Sequence, residues 1–305
     1  MNIAVQTGGM QERIGIDSTY RLVKEAGFDA ADVNLDHLFG GGNIRRKERS
    51  PLFDGPEEEL LKAVDPFKTA AEKYGIDNFQ AHAPFPSAVP GDPEYNAYLI
   101  GILQKTVKAA AYIGVKKLIV HPFFYGYGDR LSPEKEREQN INSYSALIPA
   151  AKEYGVTVCL ENMFTSNRGK IYASCCSDIT EAAKYVDELN RIAGEKVFGF
   201  CLDTGHILVA GLDIYDSIVE LGSRIEAFHV HDNDGIRDQH LPPYMGILDW
   251  NRFIKALAAI RFDGTMDFET FNLWNVIDQE LAPEVMKVLA KTGRMFARRV
   301  NELLS

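Results

Sequence analysis

Short apolar runs rich in β-branched residues alternate along the chain with longer amphipathic segments, and eight of each can be counted. The apolar runs span Asn2 to Gln6, Ala30 to Asn34, Ile76 to His82, Lys117 to His121, Val156 to Glu161, Val197 to Asp203, Ile225 to His231 and Gly264 to Glu269, and each reads as a strand. The intervening segments carry helical spacing. Between Glu57 and Tyr74, the residues Leu60, Leu61, Val64, Phe67 and Ala71 share one face, and Pro66 predicts a break or restart of that helix. Asp178 and Glu181 form a capping box that opens a helix running to about Arg191.

Eight strand–helix units, with every strand bounded by helices, predict a parallel sheet closed into a (β/α)8 TIM barrel that takes up residues 1–305 as a single domain. An open doubly wound sheet is the rival. It would place a Gly-rich phosphate turn after the first strand, and Thr7 to Met10 (TGGM) lacks that spacing. Two connections are long enough to be functional, Leu35 to Pro56 and Asn162 to Ser177, and both fall on the strand-exit face.

Composition narrows the partners. With 46% hydrophobic and 25% charged residues the chain matches a soluble globular protein, not a disordered, collagen-like or disulfide-built one. A formal charge of −10 repels phosphate backbones and anionic membrane surfaces, so neither nucleic acid nor membrane is an expected partner. Any anionic ligand needs a local basic site. Cys159, Cys175, Cys176 and Cys201 show no C-x-x-C spacing, and Cys159 and Cys201 sit inside predicted strands, which points to a reducing, cytoplasmic setting. The N-terminus shows no charged region followed by a long apolar stretch, and no segment approaches the ~20 apolar residues of a membrane span.

Candidate chemistry is positional. His82, His121, Glu161, Asp203, His229 and Glu269 each lie at or near the end of a different predicted strand, from the third to the eighth. A TIM barrel gathers its chemistry on that C-terminal rim, so these six converge on one ring. Buried carboxylates are costly unless paired or bound to metal. Glu161, Asp203, His229 and Glu269, from four adjacent strands, make an oxygen-rich set with one nitrogen that suits one divalent ion, Mn²⁺ first, with Mg²⁺, Co²⁺ or Zn²⁺ as alternatives.

The strings LEN (160–162), LDTGH (202–206), HVHDNDG (229–235), DQHLPP with GILDW (238–250) and DFET (267–270), taken in order, resemble the sugar phosphate isomerase/epimerase family of xylose-isomerase-like TIM barrels. The resemblance covers nearly the whole chain. It implies one metal held by Glu161, Asp203, His229 and Glu269, with Glu161 and Glu269 also acting as the catalytic acid–base pair in proton transfer through an enediolate. The implied substrate is a small sugar or sugar phosphate, held through His82, His121, His206, Asp238 and His240, and a homo-oligomer is compatible with it. His231 is expected to orient a ligand. A sugar lyase, dehydratase or C-glycoside-cleaving relative would use the same metal and bases.

Endonuclease IV belongs to the same superfamily. His82 in AHAPF and His121 in VHP resemble its first-metal histidines, and His206, Asp238 and His240 resemble its third-metal set. Sugar-handling members keep such residues for hydroxyl contacts, and the net charge lacks the basic footprint of a duplex-binding protein, so the sugar reading is preferred. Two departures leave the sugar open. Ketose 3-epimerases carry an Arg shortly after the metal His, where this chain has Gly235 with Arg237 out of register, and Tyr244, Met245 and Gly246 replace a G-x-G. Arg45, Arg46, Lys47 and Arg49, or Arg168 and Lys170, are the candidate anion contacts, and Phe123, Phe124, Tyr125 and Tyr127 a candidate apolar wall. Trp250 is expected to pack at the start of the seventh helix.

Overall fold

The computed structural model describes residues 1–305. Its strands are β1 (Asn2–Gln6), β2 (Ala30–Asn34), β3 (Asp77–His82), β4 (Lys117–Ile119), β5 (Thr157–Glu161), β6 (Phe164–Asn167), β7 (Lys170–Ala173), β8 (Phe198–Asp203), β9 (Ile225–His229) and β10 (Thr265–Phe268). Eight of them form one parallel sheet in the order β10-β1-β2-β3-β4-β5-β8-β9. A parallel bridge between Val230 and Phe268 joins its two ends, with Val230 N–H donating to Asp267 O at 2.7 Å. The result is the TIM barrel that the alternation predicts, ringed by helices.

Alternation within each strand sorts the side chains. Ile3 and Phe268 face outward against the C-terminal helix Ala282–Leu304, at Gly293, where a Cβ would fall 2.8 Å from each of them. Their neighbours Gln6, Asp267 and Glu269 therefore face the barrel axis. Bulges reset the register at Phe79 in β3 and Glu226 in β9, so that Gln80 and His82, and Ala227 and His229, point inward. One half of the interior is apolar, with Ile119, Cys159, Cys201 and Ala227 fully buried together. The other half is polar: Gln80 donates to Asp32 at 3.0 Å, and Asp267 is fully buried nearby. At the strand-entry end, Glu226 pairs with Lys117 and Lys196, which closes the floor away from the site.

Two expectations need correction. The helix Glu57–Tyr74 runs through Pro66 without a break. Pro66 is exposed, so the carbonyl that loses its partner is on the solvent side, and burial of Leu60, Val64, Phe67 and Ala70 holds the segment together. Within the connection from Asn162 to Ser177, β6 and β7 pair as an antiparallel hairpin. Arg168 and Gly169 both take positive φ (49° and 77°), the turn that a two-residue hairpin loop requires. The capping box forms only by half: Asp178 caps the helix Ile179–Ala193, accepting from Glu181 N–H at 3.0 Å, but the Glu181 side chain makes no return bond. Trp250 is buried at the first turn of Trp250–Ala259. All four cysteines are buried and unpaired, and no helix is long and apolar enough to cross a membrane.

Candidate active site

His82, Glu161, Asp203 and His229 are the last residues of β3, β5, β8 and β9, while Glu269 follows β10 directly and His121 lies two residues past β4. Their convergence follows from the parallel barrel, which brings all eight strand ends to one rim. Nδ1 of His229 sits 3.0 Å from Glu161 Oε1, 3.7 Å from Glu269 Oε2 and 3.9 Å from Asp203 Oδ2. Donor atoms bound about 2.0–2.2 Å from one ion stand roughly 3–3.5 Å apart, so this spacing is close to that of a coordination shell. Glu161 Oε2 is buried without a hydrogen-bond partner; His121 Nε2 lies 3.2 Å away but out of alignment for one. The donor set and this orphaned oxygen fit a divalent cation.

Around these four, a second layer fixes their orientation. Asp203 Oδ1 accepts from His206 N–H at 2.6 Å, capping the helix Thr204–Val209, and its Oδ2 is 2.9 Å from His231 Nε2. Asn162 clamps β5 to β8, donating to Asp203 O at 3.0 Å and accepting from Asp203 N–H at 2.8 Å. Gly205 gives His231 its room, because a Cβ there would lie 1.9 Å from the ring carbon Cε1. Gly205→Ala is accordingly expected to displace His231, loosen Asp203 and destabilise the protein by about 1–3 kcal/mol. Thermal melts and bound-metal assays check this; wild-type values in both would show that the helix shifts to accept the methyl.

A second group of side chains lies beside the first. His240 Nε2 is 2.9 Å and His206 Nε2 3.4 Å from Asp238 Oδ2, and His240 Nδ1 is 3.3 Å from Glu269 Oε2. His82 stacks on His229 with ring centroids 4.4 Å apart and reaches Glu269 Oε1 at 3.2 Å. Burial disfavours charge on these imidazoles, yet carboxylates dominate. Asp203 and Asp238 lift His206 to about 10, and Asp32 and Glu269 hold His82 well above its ordinary value. His121 is the exception, pushed down to about 4 by burial despite Glu161 beside it. Burial pushes the Glu161 carboxyl up, but His229 and His121 outweigh it and hold it below the usual range. Such a balance of protons against carboxylates is what a bound cation would replace.

Above this floor opens a cavity of about 490 Å³. His82, His121, Glu161, His206, Asp238, His240 and Glu269 line its base, while Asp203, His229 and His231 lie beneath it, fully buried. Phe85, Phe124, Phe164 and Phe271 form its apolar wall and Gln6, Asn34 and Asp36 a polar one. Of the aromatic run after β4 only Phe124 faces the cavity: Phe123 packs on Tyr144, Tyr125 bonds Gln139, and the exposed Tyr127 meets Tyr172. Arg168 and Lys170 stand at the exposed hairpin turn, outside the cavity. A depression of about 550 Å³ between the hairpin and the helices Ile179–Ala193 and Ile214–Leu221 contains none of the clustered groups.

Sequence reading missed several residues. Asp32, fully buried in β2, stands 3.2 Å from His82 Nδ1 and 3.8 Å from His229 Nε2, and Gln6 donates to Glu269 Oε1 at 2.8 Å. The available signal was a carboxylate in the middle of a strand buried on both faces, which must be inward and paired.

Comparison with known proteins places the geometry in context. The family model described as xylose isomerase-like TIM barrel matches residues 20–292. A structure titled D-tagatose 3-epimerase-like protein superposes with a TM-score of 0.72 at 20% identity, covering 100% of both chains. An IolI protein with a bound zinc atom gives a TM-score of 0.70 at 17% identity, again over 100% of both. A probable endonuclease 4 of Acholeplasma laidlawii is 24% identical over 224 residues, 66% of this chain and 72% of that one.

Proposed function

Because the chain belongs to the xylose isomerase-like TIM barrel family, we propose that it is a divalent-metal-dependent sugar isomerase or epimerase working by proton transfer next to a carbonyl. The observation that carries this is the pair Glu161 and Glu269. They arrive from strands three places apart around the barrel, both line the cavity, and both approach His229 Nδ1. Glu161, Asp203, His229 and Glu269 would hold the ion, whose Lewis acidity toward a carbonyl oxygen eases loss of the neighbouring proton. One glutamate takes that proton and the other returns one from the opposite side. His206, Asp238 and His240 grip hydroxyls at the cavity base, with His82 and His121 on the facing side. The aromatic wall covers the sugar's C–H faces and keeps water from the transferring proton. Presenting unphosphorylated ketoses to the metal-loaded protein is expected to yield an epimeric or isomeric sugar by NMR.

A metal phosphodiesterase is the second reading, favoured by the separate convergence of His206, Asp238 and His240 and by the endonuclease 4 relative. Elemental analysis separates the two. The sugar reading expects about one tightly held ion per chain, and three would move the assignment to the phosphodiesterase. Asp203→Asn is expected to lose that ion while leaving the fold intact, because the barrel core lies below the rim; aggregation with metal retained would make Asp203 structural.

A further inference from the structure

Resting on that sugar chemistry, we infer that the cavity selects an uncharged polyhydroxy substrate and that Asp36 is the specificity residue that turns away phosphorylated and carboxylated ones. No Lys or Arg lines the cavity. The basic run after β2 is spent locally: Arg46 pairs with Glu48 at 2.7 Å, Lys47 with Asp92 at 3.0 Å and Arg49 with Asp54 at 2.9 Å. Arg45 is exposed on the helix Gly41–Arg45 and stays off the lining, and Arg237 is held by Asp234 at 2.7 Å. The Gly9 N–H, which opens a helix at the cavity edge, already donates to Glu12 Oε2 at 2.6 Å.

What the polar wall does offer is suited to hydroxyls. Asp36 is fixed by its own N–H donating to Asn34 Oδ1 at 2.9 Å and by its Oδ1 accepting from Phe85 N–H at 2.8 Å, which leaves Oδ2 for a ligand. Gln6 is 3% exposed, its Nε2 is engaged by Glu269, and its Oε1 has no partner. Gly8 keeps the space between Gln6 and Asn34 open, since a Cβ there would lie 2.7 Å from Asn34 Nδ2 and 2.9 Å from Gln6 Oε1. Asp36 Oδ2 and Gln6 Oε1 are therefore free acceptors beside the Asn34 amide. A hydroxyl donates to either; a phosphate dianion or a carboxylate has no proton to give and meets a like charge at Asp36.

Titration calorimetry with the non-reacting polyols D-glucitol and D-glucitol 6-phosphate tests this on the metal-loaded protein. Wild type is expected to favour D-glucitol by about 10²-fold, from one close like-charge contact on a wall that presents no Lys or Arg. Asp36→Asn should shrink that ratio at least tenfold while D-glucitol itself loses only a few-fold in affinity, and Arg46→Ala with Arg49→Ala, both paired outside the cavity, should leave both affinities unchanged. Equal or tighter binding of the phosphate by wild type, an unchanged ratio in Asp36→Asn, or binding of neither polyol would overturn the inference. The two readings fail separately. If D-glucitol is preferred through Asp36 but no ketose is converted, the isomerase assignment falls and the selectivity stands; conversion of ketose 6-phosphates in preference to ketoses does the reverse.

Discussion

Glu161→Gln and Glu269→Gln are each expected to lower turnover by about 10²–10⁴-fold, the range that positioned acid–base groups contribute. The lost contact exists only while the proton is in flight, so kcat and kcat/KM should fall together and KM should change little. Each glutamate is also a proposed metal ligand, and the comparison is therefore made on protein saturated with metal, with the bound ion counted. The two substitutions should not be equivalent for the neighbours. Glu269 holds Gln6, His82 and His240, whereas Glu161 faces His121, His206 and His229. Turnover within a few-fold of wild type in both metal-loaded variants would remove the two-carboxylate mechanism.

Metal removal is expected to act on stability with a definite pH dependence. In the metal-free protein, burial disfavours charge on His82, His206, His229 and His240, but the carboxylates around them outweigh it and hold each imidazole above its ordinary value, His206 at about 10. A raised folded value contributes stability that is fully present below about pH 6.5, the unfolded value, and is lost as pH climbs through the folded one. The ion requires the opposite: a neutral His229 and charged carboxylates, so its binding strengthens as pH rises. Each proton that must leave for the ion is worth about 1.4 kcal/mol per pH unit. The Tm difference between metal-bound and metal-free protein should therefore widen from pH 6.5 to 8.5. A constant or narrowing gap would mean that the ion does not compete with these protons.

How far the chain was legible depends on the distance over which each signal acts. Strands and helices follow from local periodicity, so the barrel and the strand-end positions of Glu161, Asp203 and His229 could be read directly. Pro66 misled because its penalty depends on whether the orphaned carbonyl meets solvent, which only the folded helix decides. The hairpin β6/β7 escaped because each strand has four residues, too few for alternation to stand out. Gln6 escaped for a different reason: its partner Glu269 is 263 residues away, and the contact exists only once β1 meets β10. The cavity wall shows the same limit. Phe85, Phe164 and Phe271 follow three different strands, whereas the consecutive aromatics after β4 mostly serve packing and local bonds.

Proton transfer at carbon is the central claim, and substrate incubated with the metal-loaded protein in D₂O tests it most directly. The account predicts deuterium at a carbon adjacent to the carbonyl in the recovered ketose and its product, lost together with turnover in Glu161→Gln and Glu269→Gln. Failure of every ketose to exchange or convert, with metal-dependent cleavage of abasic-site DNA by the same preparation, would contradict it.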